Sequence, residues 1–186
     1  VILAIFAPIL APFDPNSPIL PFAYPGDRAP DGRMFLLGTD QLGRDILSRL
    51  LWGSRTTLLI VVLVTVASAP LGLVLGCVAG TVGGWADIAL MRLTDIFLAF
   101  PRLILALALA AALGAGLENA VLAIAVTAWP VYARVARAET LAIRDSDFVA
   151  AARLQGASTW RIVRKQIMPM CVNSLVVRVT LDMAGI

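Results

Sequence analysis

The sequence contains no histidine, one lysine and only two cysteines, Cys77 and Cys171, each set among apolar residues. The side chains usually needed for zinc, haem or thiol redox chemistry are thus missing, and neither a metal site nor a disulfide is expected. Charge is thin as well. Fifteen basic and twelve acidic residues leave a formal +3, too modest a surplus for a nucleic-acid binder. No G-x-x-x-x-G-K-[ST] loop occurs, so the chain is not expected to cradle ATP phosphates, and we assign it no catalytic residue. What remains is apolar. Of 186 residues 60% are hydrophobic and 15% charged, with a mean hydropathy of +0.89. An ordinary soluble domain is about half apolar and about one quarter charged, so we read an integral membrane protein.

The sequence opens on VILAIFAPIL and closes on the apolar LDMAGI, so we expect a segment of a longer protein, incomplete at both ends. Residues 1–10 are expected to end a first transmembrane helix; they lack the basic start and cleavage site of a signal peptide. Seven of the eleven prolines fall within the first thirty residues, which predicts an extended, polyproline-like aqueous stretch. From Met34 to Arg55 the pattern turns helical, with Leu42, Ile46, Leu47, Leu50 and Leu51 on one face, which predicts an amphipathic helix at the membrane surface. Residues 11–56 are accordingly read as extracytoplasmic, and 57–186 as the core transmembrane domain.

Thr57–Gly80 is 24 residues without a charge, about 36 Å as a helix, enough for a hydrocarbon core of about 30 Å. Within it Ser68, Gly72, Gly76 and Gly80 recur every four residues, forming a seam of small side chains where another helix can approach. Ile96–Leu117 and Asn119–Ala136 are expected as two further spans in a tight hairpin, with Arg102 snorkelling to headgroups and Pro130 kinking the second. Arg134–Lys165 holds seven cations against three acids, which places it inside by the positive-inside rule; Thr81–Asp95 is then an inner loop, and Gln166–Ile186 starts outward again. Arg134 and Arg137 are read as headgroup anchors.

The inner stretch DSDFVAAARLQGASTWRIVRKQIMP reads as two short helices around a turn. Gly156 can take the left-handed conformation that ends the first, and Ser158 can cap the second. An alanine-faced surface helix bracketed by charges suits docking into a groove on a soluble partner. Ala151, Ala152, Gly156 and Pro169 stand at the spacing of the cytoplasmic Glu-Ala-Ala motif of ABC-importer permeases, with Ala150 where the Glu usually is. GTDQLGRDILSRLLWGSR, from Gly38 to Arg55, and GGWADIALMRLTDIFLAFP resemble segments of the C-type permeases of the dipeptide, oligopeptide and nickel branch.

The resemblance implies an all-α integral membrane protein, a polytopic helical bundle of the type I ABC importer permease kind, in a bacterial inner membrane. Its implied partners are a B-type second permease, two cytoplasmic ATPases that bind ATP and Mg, an extracytoplasmic solute-binding protein and membrane lipid. The implied coupling helix lies at about 146–157, with Phe148, Ala150, Ala151, Ala152, Arg153, Gly156, Ala157 and Pro169 as its coupling residues. An assembly subunit without its own path, or an ion-driven secondary transporter, are the alternatives.

Two more groups stand out. Arg178 and Asp182, four apart, share a face deep in the last span, as a self-neutralising pair or as the lining of a polar path. Gly38, Thr39, Asp40, Gly43, Arg44 and Asp45 read as a capped helix start, with Thr39 or Asp40 as the cap, or as a contact for the binding protein.

Overall fold

The computed structural model describes residues 2–182; Val1 and the last four residues of the final expected span lie outside the described residues. The chain divides into two compact units, one running to Val61 and the other from Val62.

The first unit starts with two short helices, α1 (Ile2–Ile5) and α2 (Ala7–Leu10), and Pro8 falls in the first turn of α2, where its missing N–H costs nothing. The proline-rich stretch after them is not the expected polyproline run. Phe13, Ala23, Ala29 and Phe35 form a small core with Ile19 against it, and the Phe13 and Phe35 rings stack at 4.9 Å. The Arg33 guanidinium covers the Phe13 ring at 4.2 Å. Proline removes donors only at its own positions. The apolar residues between prolines still leave water together, and single antiparallel bridges, Arg28 to Met34 and Thr39 to Asp45, fix the turns.

Helix α3 (Ile46–Val82) then runs for 37 residues. The expected surface helix and first span are thus one element, because nothing between Ile46 and Thr57 breaks a helix. The cap is Asp45, and neither Thr39 nor Asp40: its Oδ2 accepts the Ser48 N–H at 2.8 Å.

In the second unit, Gly83 joins α3 to α4 (Gly84–Ala99), followed by α5 (Arg102–Leu113), α6 (Leu117–Ile143), α7 (Asp147–Leu154), α8 (Thr159–Ile162), a π turn over Val163–Ile167 and α9 (Met168–Asp182). One expectation is overturned: Ile96–Leu117 is no single span, since α4 and α5 meet at 89°, and most of the stretch over 81–95 is helix. Proline drives its predecessor out of the helical region, and Phe100 sits at φ −91°, ψ 141°. The 12 residues of α5 reach about 18 Å, short of a hydrocarbon core of about 30 Å. Helices α3 and α6 are each long and apolar enough to cross a membrane, and the bent α4–α5 pair would be a third crossing.

Helix α5 packs on α6 through a turn in which the Asn119 amide donates to the carbonyls of Leu113, at 2.9 Å, and Gly114, at 3.2 Å. Helix α6 passes Pro130 unbroken and continues beyond Ala136 to Ile143. It is the hub of the unit: α4, α5 and α9 all pack against it, and Ala128, Trp129, Tyr132, Ala133, Ala136 and Thr140 are buried there.

Candidate functional site

The two-helix element downstream of α6 is built from local signals. Helix α7 ends in a Schellman motif: the Ala157 N–H donates to the Ala152 carbonyl at 3.0 Å and the Gly156 N–H to the Arg153 carbonyl at 2.9 Å, with Gly156 at φ +78°. The Ser158 hydroxyl accepts the Arg161 N–H and starts α8. Pro169 lies in the first turn of α9. A proline there removes one donor and crowds the carbonyl four residues back, and the π turn over Val163–Ile167, where the Met168 N–H reaches the Val163 carbonyl, is where the ladder is reset.

The element has two faces. Val149 and Ala152 are buried, as are Ile162, Val163 and Ile167. Phe148, Ala150, Ala151, Arg153 and Gly156 face outward. Ala152 therefore packs into its own chain and is unavailable to a partner. Leu154, absent from the sequence-based set, is 90% exposed, and Trp160 is also exposed. Phe148, Ala151 and Leu154 are spaced by three, a pattern that the sequence carries but that composition alone does not single out.

The glycine seam meets α6 in backbone contact. A Cβ on Gly72 would sit 2.5 Å from Tyr132 Cβ, and one on Gly80 would sit 2.7 Å from Thr140 Cβ. Beside this seam the Cys77 and Cys171 thiols, 94 residues apart in sequence, lie 3.8 Å from each other and are buried.

Arg134 and Arg137 are not free headgroup anchors. Arg137 binds both carboxylate oxygens of Asp87, at 2.5 and 2.6 Å, and Arg134 binds Asp95 at 2.5 Å. Asp87 and Asp95, two turns apart on one face of α4, carry no local signal in the sequence, because their partners lie 50 and 39 residues away. Arg144 donates to the Gly80 carbonyl at 3.1 Å. Further along, Arg178 and Asp182 pair at 2.9 Å within α9, the Asp182 side chain only 12% exposed and Tyr132 of α6 beside it.

The Gly38–Asp45 motif clamps the proline-rich stretch to the start of α3. The Thr39 hydroxyl accepts the Ala23 N–H at 2.8 Å, and the Ile46 N–H donates to the Gly38 carbonyl at 3.1 Å. Gly43 has φ +78°, and a Cβ there would press on the Ile19 and Leu20 backbone at 3.2 Å. Asp40 accepts the Arg44 and Leu42 N–H groups and pairs with the Arg44 and Arg49 side chains.

The Arg44 backbone N–H first, then the Arg44 guanidinium and the Leu42 N–H, hold the Asp40 carboxyl down from 3.8 to about 2. A depressed carboxylate contributes stability that is complete above the unfolded value of 3.8 and is lost as pH falls through about 2. A carboxyl ¹³C titration is expected to show that low midpoint, moved upward in Arg44→Ala. A wild-type midpoint near 3.8 would contradict the clamp.

A family profile described as binding-protein-dependent transport system inner membrane component matches residues 72–186. The whole chain is 43% identical to the di/tripeptide transport system permease protein DppC of Pseudomonas aeruginosa (strain UCBPP-PA14), covering 62% of that relative. It is 40% identical to the probable D,D-dipeptide transport system permease protein DdpC of Escherichia coli (strain K12), over 99% of the chain and 60% of the relative. It is also 40% identical to the nickel transport system permease protein NikC of the same strain, over 92% of the chain and 60% of the relative. The chain thus spans about three fifths of the length of these relatives.

Proposed function

The chain belongs to the family of binding-protein-dependent transport system inner membrane components, and from that premise we propose that it works as a permease subunit of an ATP-driven importer. With a second, B-type permease it forms a translocation path through a bacterial inner membrane. Two cytoplasmic ATPases supply the energy from ATP and Mg, and an extracytoplasmic solute-binding protein delivers the cargo. The chain is a transport subunit, and the hydrolysis is done by its partners. Di- and oligopeptides or similar small solutes are the cargo class, in keeping with the di/tripeptide, D,D-dipeptide and nickel systems named among its relatives.

One observation carries this reading. The α7–turn–α8 element turns Phe148, Ala150, Ala151 and Leu154 away from its own chain, while Val149 and Ala152 anchor it from beneath. A smooth alanine face with an apolar residue at each end, held rigidly, is suited to seat in a groove of a motor subunit. Phe148, Ala150, Ala151, Arg153 and Gly156 then make the contact. Ala157 closes the turn, and Pro169 sits where motion enters α9. The paired Arg178 and Asp182 line a polar stretch of the path, which offers a peptide's charged ends a matched pair without leaving an isolated charge in the membrane. The Gly38–Asp45 clamp presents the outer face to the binding protein.

The test is reconstitution. The full-length protein, its neighbouring permease and ATPases are placed in lipid vesicles with the binding protein, and uptake of labelled dipeptide is followed. The expected result is uptake that needs ATP and the binding protein together. Uptake driven by an ion gradient without the ATPases would refute the proposal.

A further inference from the structure

Two arginines, Arg137 on α6 and Arg144 just past its end, reach both sides of the joint between α3 and α4. Arg137 and Arg144 are two helical turns apart and so share a face. Arg137 grips both oxygens of Asp87 in the first turn of α4, and that carboxylate is only 18% exposed. Arg144 reaches the last turn of α3, where the Gly80 carbonyl it takes at 3.1 Å is one of those left without an intrahelical donor. Between the two held points lie Gly83 and Gly84, at φ +67° and +56°, conformations glycine adopts freely. A Cβ on Gly84 would meet nothing within 4 Å, and one on Gly83 would meet only the Arg144 side chain at 3.9 Å. The two joint glycines are therefore uncrowded. Helices α3 and α4 each pack on α6, and the polar ties nearest the joint on either side are the two arginine contacts.

The chemistry of the contacts fits a strut. A planar guanidinium on both oxygens of one carboxylate fixes orientation as well as distance, which a single-point contact does not. The neighbouring Arg134–Asp95 pair, half exposed on both sides and single-pointed, adds little beside it. Three residues after Arg144 comes the first residue of α7, so the struts stand at the root of the element that Proposed function gives to the motor.

Resting on that reading, we propose that Arg137 with Asp87, and Arg144 with the Gly80 carbonyl, are positioning residues that carry displacement of α7 across the Gly83–Gly84 joint into α3 and α4. Without the strut, α7 moves and the joint absorbs the motion. Nucleotide is then hydrolysed with little solute carried.

The experiment is the number of ATP hydrolysed per dipeptide imported by the complete importer in vesicles, for wild type, D87N, R137Q, R144Q and the exchanged pair D87R with R137D. In the single variants that ratio is expected to rise about fivefold or more at an unchanged amount of assembled complex. In the exchanged pair it is expected to return to within about twofold of wild type, because the ion pair is rebuilt in reverse. Single variants that all couple like wild type would overturn the strut. So would uptake and hydrolysis falling together with the amount of complex, unrescued by the exchange, since that marks a role in folding alone. Wild type that couples normally beside unaltered variants sinks the strut only, whereas wild type without ATP-driven uptake sinks the permease reading with it.

Discussion

Gly76→Leu is expected to abolish the yield of monodisperse protein from membranes, while Gly53→Leu, about six turns earlier on α3, leaves it intact. At Gly76 the first added carbon would overlap the Ala133 carbonyl and lie 2.7 Å from Ala136 Cβ and 2.9 Å from the Arg137 backbone nitrogen. Two of these are backbone atoms of α6, so no rotamer relieves the clash and the helices must part. Parting them also undoes the contacts at Gly72 and Gly80, in the seam beside the buried Ser68. Overpacking a core usually costs about 1–3 kcal/mol, and forcing one backbone off another belongs at or above the upper end. Gly53 has nothing within 4 Å, and a leucine there even improves helix propensity, by up to about 1 kcal/mol. Gel filtration and thermal unfolding of the detergent-solubilised full-length protein check both. Equal yields for the two variants would mean that the seam does not hold α3 to α6.

Ala151→Arg is expected to cut ATP-driven uptake by tenfold or more without moving the melting temperature. Ala151 is exposed on α7, so within this chain an arginine has room. In a groove filled by an alanine face the same arginine brings excess volume and an unpaired charge; overpacking alone costs about 1–3 kcal/mol, and each 1.4 kcal/mol is tenfold. Thr159→Arg is the matched control. It adds the same side chain at an exposed position of α8 outside that contact set, and uptake is expected to stay within about twofold. Equal losses from both variants, or none from either, would separate uptake from docking of this face.

What was legible in the sequence was what depends on near neighbours. The turn at Gly156, the cap at Ser158 and the four-residue spacing of the seam are set within one or two helical turns, and each has the form its residues dictate. The bend at Pro101 was legible too, yet a long apolar run masked it, since hydropathy counts residues and ignores a missing N–H. The start of α3 slipped for a related reason: Thr39, Asp40 and Asp45 are all good caps, and only the clamp on the proline-rich stretch decides for Asp45. Pairings across many residues left no trace. Asp87 with Arg137, Cys77 with Cys171 and Phe13 with Phe35 come together only once the helices and turns are stacked. The form of the α7–turn–α8 element was readable because it is local, and the long-range pairings beneath it were not.

The most direct measurement places a photoreactive amino acid at position 151 of the full-length chain and irradiates the complete importer in native membranes. The expected product is a covalent adduct between α7 and one of the ATPases, with adduct yield changing when nucleotide is added. Adducts to lipid or to the binding protein, with none to a nucleotide-hydrolysing subunit, would contradict the docking of α7 on which the whole mechanism rests.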